Sequence, residues 1–428
     1  MDWTRPAAVA LLALCAGCLD PNGVETAAGD GARAPAGLSS LLADLPCEAP
    51  FDDVGTTENL RQLSLTEFDG ESGPQEIDMA GDLLLAARDM GFSTVDVSDP
   101  LFPVVLGHYG DAEGMLDVKF TPDNLTALVG SYDNIDLVDV RDPAEPRQVG
   151  RWTFDQVESP PSGMNGQNAH MVFPARIAGE DWVFLAPQSS TGVWILKLQG
   201  TPDERSLEFI TTTLPVQGGV SGPHDVFVQH DELMQAWILY TADAFFGWTA
   251  FDVSDPANPE LIVAVPNADV SGTHSVQAGI VGGRRIVATT TEFGMNALKL
   301  WDATDLLNPV QVGYWTHELG PGVYDHQHNI NIVEGRLYVA HYALGLYVFD
   351  LAALPTSPAG ALSIQPVAHY AKLQETNLGA GANGGFWDLV LSDGLLYAGV
   401  YSGGVQQGLH VIGYGCVPPG DPAYTSTG

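Results

Sequence analysis

The chain has 428 residues, with 16 Lys and Arg against 53 Asp and Glu, a formal net charge of -37 and a pI near 4.2. This length suits one large all-β domain or two ordinary domains, and a hydrophobic fraction of 45% provides a substantial core, which excludes global disorder. Because so acidic a surface repels nucleic acid and anionic lipid, neither is an expected partner, whereas divalent cations and cationic ligands remain compatible with it.

The N-terminus has the pattern of an export signal. An apolar run from Ala7 to Leu14 follows Arg5 and is too short to span a bilayer. The triplet ending at Cys18 resembles the end of a bacterial lipobox, whose cysteine is lipidated after cleavage, although Cys15 stands where that motif usually has Leu. We therefore predict that residues 1–17 are a signal peptide of the lipoprotein type with Cys18 as the lipidation site, and ordinary secretion is the alternative.

The two ends of the mature chain differ from its body. Residues 18–46 are rich in Gly, Ala, Ser and Pro, which predicts a flexible tether, and residues 419–428 are predicted to be a disordered tail. Cys47 and Cys416 lie near opposite ends of the body. In an oxidising compartment they predict a disulfide between the termini, with two free thiols as the alternative. The expected location is the bacterial periplasm, outer membrane or cell surface, with membrane contact only through the lipid anchor.

A repeated unit organises residues 47–418. Short runs of β-branched, aromatic and aliphatic residues are separated by Gly, Pro, Asn and Asp, without any sustained amphipathic helix pattern. Four segments share a strand, an Asp-rich turn closed by Pro, and a second strand: residues 94–109, 136–152, 249–265 and 298–315. Asp caps such a turn with its own side chain, and Pro fixes φ while removing a backbone donor.

Two further strands precede each unit, so the repeat has four strands. Aligning the first strand of every repeat gives as equivalents Asp78, Asp117, Met171, Asp225, Ser275, Asn329 and Asp388. Seven four-stranded repeats with a period of roughly 50 residues predict an all-β fold, a seven-bladed β-propeller. The last repeat lacks an outer strand. We expect residues 59–68 to supply it, so that an N-terminal strand closes the ring and brings Cys47 towards Cys416.

At the level of this repeat, the chain resembles a known family. The segments VDVSDPLFPVVLG and FDVSDPANPELIV are similar to those of LVIVD-repeat proteins, which are exported bacterial β-propellers, often lipid- or surface-anchored and mostly without assigned function. The resemblance covers roughly residues 59–415, and the third and seventh repeats depart from its motif. It implies the propeller fold and export, and it implies no activity.

Histidine recurs one residue before the aligned position. Four consecutive repeats carry it there: His170, His224, His274 and His328. The other three repeats have Ile77, Leu116 and Trp387. With 11 His in the chain, random placement does not explain this column, although duplication of one repeat would also copy a histidine. Because first strands line the axis of a propeller, we predict that the four imidazoles converge there and bind one transition metal, Fe, Cu or Zn.

Second strands end at the same rim and supply candidates for orienting these ligands, since a ligating imidazole usually has its other nitrogen held by a carboxylate or carbonyl. The predicted supporting residues at these strand ends are Asp243, Glu292 and His341. His326, two residues before His328 on the same strand face, is predicted to be an auxiliary ligand, with a polar rim group as the alternative. The remaining histidines are predicted to be ordinary surface or loop residues: His108, His230, His317, His369 and His410.

Two functions follow from this pattern. The predicted site resembles that of carotenoid cleavage oxygenases, seven-bladed propellers with an axial four-His iron held by glutamates, and it also resembles selenium-binding proteins, propellers associated with thiol oxidation. That analogy of architecture implies redox or oxygen chemistry on a small substrate and names no substrate. The alternative is a metal-free scaffold that binds a peptide, glycan or cell-envelope component, in which Asp225, Ser275 and Asn329 join the histidines in a hydrogen-bond network.

Overall fold

The structure is a computed structural model. It describes residues 60–68, 72–88, 90–110, 114–157, 168–187, 192–213, 222–244, 246–266, 273–291, 298–316, 327–342, 344–356, 360–370, 385–401 and 407–414. In these residues the regular structure is β, apart from two single turns of 3-10 helix at Phe154–Gln156 and Leu351–Ala353. None of the described residues form a helix of the length and apolarity needed to cross a membrane.

Seven antiparallel sheets form the blades of a β-propeller, as predicted. Their first strands are β2 (Ile77–Ala80), β6 (Met115–Phe120), β10 (Met171–Ile177), β14 (Pro223–Asp231), β18 (Thr273–Val281), β22 (Ile330–Val333) and β27 (Gly385–Ser392). Their second strands are β3 (Leu83–Arg88), β7 (Thr126–Ser131), β11 (Glu180–Ala186), β15 (Ala236–Asp243), β19 (Arg284–Thr291), β23 (Arg336–His341) and β28 (Leu395–Tyr401).

The outer half of each blade repeats in the same way. The third strands are β4 (Gly91–Asp96), β8 (Asn134–Asp139), β12 (Trp194–Thr201), β16 (Gly247–Asp252), β20 (Leu298–Asp302), β24 (Gly345–Asp350) and β29 (Gly408–Tyr414). The outermost strands are β5 (Val104–Tyr109), β9 (Arg147–Thr153), β13 (Glu204–Thr212), β17 (Glu260–Pro266), β21 (Val310–Trp315), β26 (Ala368–Tyr370) and β1 (Leu60–Thr66). A short strand, β25 (Leu362–Ser363), adds in parallel to β21.

Aspartates form the turns between third and outer strands, as the sequence predicts. In blade 1, the Ser98 N–H donates to Asp96 Oδ1 at 2.9 Å and the Leu101 N–H donates to Asp99 Oδ1 at 3.0 Å. The same two bonds recur at Asp139 and Asp142, Asp252 and Asp255, and Asp302 and Asp305. Because this chemistry is local to each turn, it marks the blade in the sequence.

The ring closes around an axis lined by the first strands. Each first strand contacts the next, from β2 through β22 to β27, and β27 contacts β2 in turn. Buried apolar residues from adjacent blades form clusters between the sheets, so each blade completes its core only with its neighbours. Strand β1 pairs antiparallel with β29, its Leu60 opposite Tyr414. Closure of the ring by this N-terminal strand stays a prediction, as does the Cys47–Cys416 disulfide, whose residues lie outside the described ranges.

A shared pair of backbone hydrogen bonds defines equivalent positions in the first strands. In blade 6, the His328 N–H donates to the Ala340 carbonyl at 2.8 Å, and the Ala340 N–H donates to the Asn329 carbonyl at 2.9 Å. Blade 1 has the same pair: the Gln75 N–H donates to the Ala87 carbonyl, and the Ala87 N–H donates to the Glu76 carbonyl. Gln75 is therefore the equivalent of His328, and Glu76 is the equivalent of Asn329.

This register corrects the alignment of the first repeat, which had placed Ile77 and Asp78 in these columns. Strand β2 pairs Ile77 with Ala86, one step beyond Glu76. The alignment was wrong by two residues, because a shift of two preserves the alternation of the two faces of a strand and therefore leaves the hydrophobic pattern unchanged.

Candidate functional site

The four histidines of the column lie side by side at the axial rim. The distance between ring centroids is 4.2 Å for His170 and His224, 4.3 Å for His224 and His274, and 4.2 Å for His274 and His328. Neighbouring rings are tilted by 57°, 49° and 46°. The structure thus brings the four predicted side chains together in one unbroken row, which we call the histidine arc.

β-bulges aim two of these side chains. In β14 the pairing with β15 shifts at His224, and in β18 the pairing with β19 shifts across His274. A bulge turns one residue out of the alternating pattern and is common beside functional sites. The same shift occurs at Leu116 in β6 and at Trp387 in β27, so the bulge is also found in blades without a histidine at this position.

Burial keeps the arc neutral. His224, His274 and His328 are 6%, 4% and 5% exposed. Burial lowers the pKa of His170 to about 4. Burial, together with the neighbouring imidazoles, lowers the pKa of His224 and His274 well below the ordinary value. The rings of His170, His224 and His274 are therefore neutral at physiological pH, and the neutral form is the one that ligates metals.

A backbone carbonyl determines the tautomer of His328. Its Nδ1 lies 2.8 Å from the carbonyl oxygen of Trp387. Because a carbonyl oxygen only accepts, Nδ1 carries the proton and Nε2 keeps its lone pair. Carbonyls orient metal-ligating histidines in this way. The Nδ1 atoms of His170 and His224 are buried and have no hydrogen-bond partner among the residues that the structure describes.

Aromatic rings continue the arc into blade 7. Trp387, the column residue of that blade, has its ring centroid 4.6 Å from that of His328. Tyr342 packs edge-on against both rings, at 5.1 Å from His328 and 5.4 Å from Trp387. Tyr401 meets Trp387 at 5.1 Å with an interplanar angle of 70°. We call Tyr342, Trp387 and Tyr401 the aromatic corner.

An unusual backbone conformation places Tyr342 in this corner. Its φ is 34°, in the left-handed region that a bulky side chain rarely adopts. Two hydrogen bonds to Phe386 in the next blade, at 3.0 and 2.9 Å, hold it there. Neither Tyr342 nor Tyr401 was predicted from the sequence. Their positions are a signal in the sequence, because Tyr342 directly follows the second strand β23 and Tyr401 ends the second strand β28.

Carboxylates gather on the other side of the axis, in blades 7, 1 and 2. Lys119 Nζ lies 2.6 Å from Asp117 Oδ1 and 3.6 Å from Glu76 Oε2. The amide of Asn329 donates to Glu76 Oε1 at 2.9 Å and to Asp388 Oδ1 at 3.0 Å. Burial and the adjacent Asp388 raise the pKa of Glu76 well above its usual range. Burial alone would lower the pKa of Lys119, but Asp117, Glu76 and the other carboxylates raise it well above its ordinary value. We call this group the carboxylate layer.

Column carboxylates also join blade 2 to blade 3, blade 7 to blade 1 and blade 4 to blade 5. Asp117 Oδ2 accepts from the Val172 N–H at 2.7 Å, and Asp388 Oδ2 accepts from the Ile77 N–H at 2.9 Å. Asp225 Oδ2 accepts from Ser275 Oγ at 2.6 Å, and burial raises the pKa of Asp225 to about 7. Asp225, Ser275 and Asn329 therefore form hydrogen bonds between blades, and their predicted link to the histidine side chains stays a prediction.

The remaining predicted residues fall in several places. Asp243 ends β15 at the rim and is 8% exposed, and burial raises its pKa to about 7. His341 is 1% exposed, with its ring 5.8 Å from that of Trp315 and 5.5 Å from that of Tyr347. Four predictions fall on residues outside the described ranges: Glu292, His326, His317 and Cys18.

The histidines off the column correct one expectation. His108 is exposed on β5, in agreement with a surface role. His410 is only 1% exposed and packs 5.5 Å from the ring of Phe386, so the prediction of a surface or loop position is wrong for it. The reason is that β29 is an interior strand of its sheet, between β1 and β28, and is covered there.

The donor atoms of the arc do not share a point. Among the described residues, no group of three or more His, Cys, Asp or Glu side chains has the arrangement of a metal site. Any metal bound by the arc would therefore require the rings to turn from the orientations described above.

The fold and the rim together define a seven-bladed β-propeller with a row of neutral imidazoles at its axis. No protein-family model and no curated protein sequence matches the chain. Among solved structures, it is similar to Sqt1 of Saccharomyces cerevisiae, with a TM-score of 0.52 and 12% identity over 81% of this chain and 84% of that one. It is also similar to a 6-phosphogluconolactonase candidate of Bacteroides uniformis, with a TM-score of 0.52 and 13% identity over 69% of this chain and 87% of that one. At such low identity these likenesses show the fold alone.

Proposed function

We propose that this protein is an exported, lipid-tethered propeller of the LVIVD-repeat type that binds one transition-metal ion through His170, His224, His274 and His328. The metal would serve redox or oxygen chemistry on a small substrate. The observation that carries the proposal is the histidine arc, in which neighbouring ring centroids from four consecutive blades are 4.2 to 4.3 Å apart.

The chemistry of the arc fits such a metal. His170, His224 and His274 are neutral, the Trp387 carbonyl orients the ring of His328 through Nδ1, and the buried Nδ1 atoms of His170 and His224 lack a hydrogen-bond partner among the described residues. Because rotation about the Cβ–Cγ bond of histidine has broad minima, small turns are enough to redirect the nitrogens. Imidazole ligands favour Fe, Cu or Zn; iron or copper would supply redox chemistry, and zinc would supply a Lewis acid.

The other column positions leave one side of the axis for a substrate. Blades 1, 2 and 7 contribute Gln75, Leu116 and Trp387 there, and none of these is an imidazole or a carboxylate. Trp387 is only half-buried, so a substrate can approach from this side. Asp243 at the rim, whose pKa burial raises to about 7, would hold or release a proton at neutral pH.

Metal analysis tests the proposal. The protein would be expressed without an affinity His-tag, as wild type, as a His224→Ala/His274→Ala double variant, and as His230→Ala. The last is a matched control, because His230 lies on the same strand as His224 but packs against Trp237. We expect near-stoichiometric Fe, Cu or Zn in the wild type and the control, and its loss in the double variant. A folded wild type that takes up none of these metals when they are added would contradict the metal site.

Export and tethering are tested separately. The support is the apolar run Ala7–Leu14 followed by Cys18 and the small, flexible composition of residues 18–46. Mass spectrometry of the protein from a bacterial membrane fraction should find an N-terminal, diacylglycerol-modified Cys18. The Cys18→Ser variant should move to the soluble fraction. An unmodified protein starting at another residue would instead indicate ordinary secretion.

One observation favours a second function, a metal-free propeller that binds a peptide, glycan or envelope component. The described residues contain no preformed metal grouping, and the imidazoles pack against each other as tilted rings. In this case, the double variant would change no metal content, and its defect would appear only in binding to isolated cell-envelope fractions. The same set of proteins therefore distinguishes the two functions.

A further inference from the structure

The aromatic corner is not explained by metal binding, because its rings offer no imidazole or carboxylate. Trp387 is flanked by Tyr342 at 85° and by Tyr401 at 70°. Aromatic side chains set at steep angles around an indole have the arrangement of an aromatic cage, which binds ammonium ions. Trp387 and Tyr401 are half-buried, whereas Tyr342 is 4% exposed, so the corner is open to solvent along the side of Trp387 and Tyr401.

Acidic residues adjoin the corner along the chain. Trp387 is followed by Asp388, which with Glu76 and Asp117 belongs to the carboxylate layer. Only one cation, Lys119, contacts that layer among the described residues. The Oδ1 atom of Asn329, which is 7% exposed, is also buried without a donor among the described residues. The chain as a whole has a formal net charge of -37. The electrostatic potential at this end of the arc therefore favours a positive ligand.

We propose that the aromatic corner binds a small organic ammonium ion, with the ammonium group against the indole of Trp387 and the two tyrosines as walls. A cation within about 6 Å of an aromatic centroid is attracted by the quadrupole of the ring, and tryptophan gives the strongest such attraction. The carboxylate layer supplies the long-range attraction and remains outside the contact, since its oxygens already accept hydrogen bonds from Asn329, Lys119 and the backbone.

The chemistry of the corner favours an organic ammonium ion over an anion and over a neutral apolar group. An anion would face both the quadrupoles and the carboxylates, so it is repelled. A neutral apolar group would gain from burial alone and would be indifferent to the carboxylate layer. The inference does not depend on the proposed metal site, because no residue of the corner is a metal ligand in that proposal.

Calorimetric titration with choline, and with its neutral isostere 3,3-dimethyl-1-butanol, tests the inference. The two probes have the same shape and differ in charge. We expect wild-type protein to bind choline at least tenfold more tightly than the isostere. Trp387→Phe should weaken choline binding about threefold to thirtyfold, the range of a cation–π contact, and Trp387→Ala should abolish it. Trp237→Phe, on β15 away from the axis, is the matched control and should bind as wild type does.

The outcomes are distinct from those of the metal test. Titrations would be repeated with EDTA and with the His224→Ala/His274→Ala variant, and binding of choline should persist in both. Equal affinity for choline and the isostere, no binding of choline by wild type, or unchanged binding in Trp387→Ala would each overturn the inference. Because Trp387→Phe keeps an aromatic ring in place, it gives a result even if the alanine variant fails to fold.

Discussion

The two sides of the propeller axis share a backbone and differ in how their polar groups are satisfied. In blades 7, 1 and 2, the carboxylates of Asp388, Glu76 and Asp117 are paired with Lys119, Asn329 or a backbone N–H. In blades 3 to 6, the histidines pack against one another as tilted rings, and buried nitrogens of His170 and His224 have no partner among the described residues.

This difference separates two kinds of polar burial. Removing one member of a buried, fully hydrogen-bonded group of charges is strongly destabilising, because its partners are left unpaired in the low-dielectric interior. A buried polar atom without a partner costs stability and is tolerated where it performs a function. We therefore expect substitutions on the carboxylate side to unfold the protein, and substitutions on the histidine side to change what it binds.

The largest effect is expected for Lys119→Met. This change removes the cation that contacts Asp117 and Glu76 and leaves buried carboxylates facing each other. Breaking such a buried group by removing one partner costs about 4 kcal/mol, which urea denaturation at pH 7 would measure. Lys197→Met is the control, because Lys197 is paired with Glu180 at the surface and should contribute less than about 1 kcal/mol. Equal losses of unfolding free energy in Lys119→Met and Lys197→Met would contradict the idea that the carboxylate side of the axis stabilises the ring.

The next effect concerns the contact between the last blade and the first. Asp388→Ala leaves the Ile77 N–H without its acceptor, and the amide of Asn329 keeps only its bonds to Glu76. One buried donor left unsatisfied and a second hydrogen bond lost should lower the free energy of unfolding by about 2 kcal/mol. Asp133→Ala, at an exposed position of blade 2, should change it by less than about 0.5 kcal/mol. A loss of similar size in both variants would show that Asp388 does not hold the blades together.

Features of this structure can be predicted from the sequence when the residues that make them are close together in the chain. The seven blades could be recognised because the Asp-Pro turns are made by residues next to each other in the chain. The side-by-side placement of His224 and His274 followed from equal positions in equal repeats. The register of blade 1 could not be recognised, because Glu76 and Asp78 lie on the same face of a strand.

Other parts of the site depend on contacts between blades that no local pattern reveals. Tyr342 is placed by two backbone hydrogen bonds to Phe386 in the following blade, and its φ is one that tyrosine rarely adopts. The pairing of Lys119 with Glu76 joins blades 2 and 1. His410 is buried because a neighbouring strand covers it, which its own sequence neighbourhood does not show.

A smaller effect, dependent on pH, is expected at Asp225. Burial raises its pKa to about 7 in the folded protein, against about 4 in an unfolded chain. The folded state therefore holds the proton more tightly, and the stability that this proton provides is complete near pH 4 and is lost as the pH rises through 7. Asparagine does not titrate. The free energy of unfolding of Asp225→Asn, relative to that of the wild type, should thus increase by about 2 kcal/mol between pH 5 and pH 8. A change in stability that the substitution causes equally at every pH does not alter this increase. A difference independent of pH would contradict a raised pKa.

The smallest effect on stability is expected for His224→Leu, a variant that should nevertheless lose all metal binding. His224→Leu replaces a buried ring, one of whose nitrogens has no partner among the described residues, with an apolar side chain of similar size. Because the lost packing and the removed polar burial oppose each other, urea denaturation should show a change within about 1 kcal/mol. Metal uptake should fall to background in the same variant, since the middle of the arc is then interrupted. If His224→Leu instead unfolded the protein as Lys119→Met is expected to, the histidine arc would be part of what holds the ring together, and the division of the axis into a stabilising side and a binding side would be wrong.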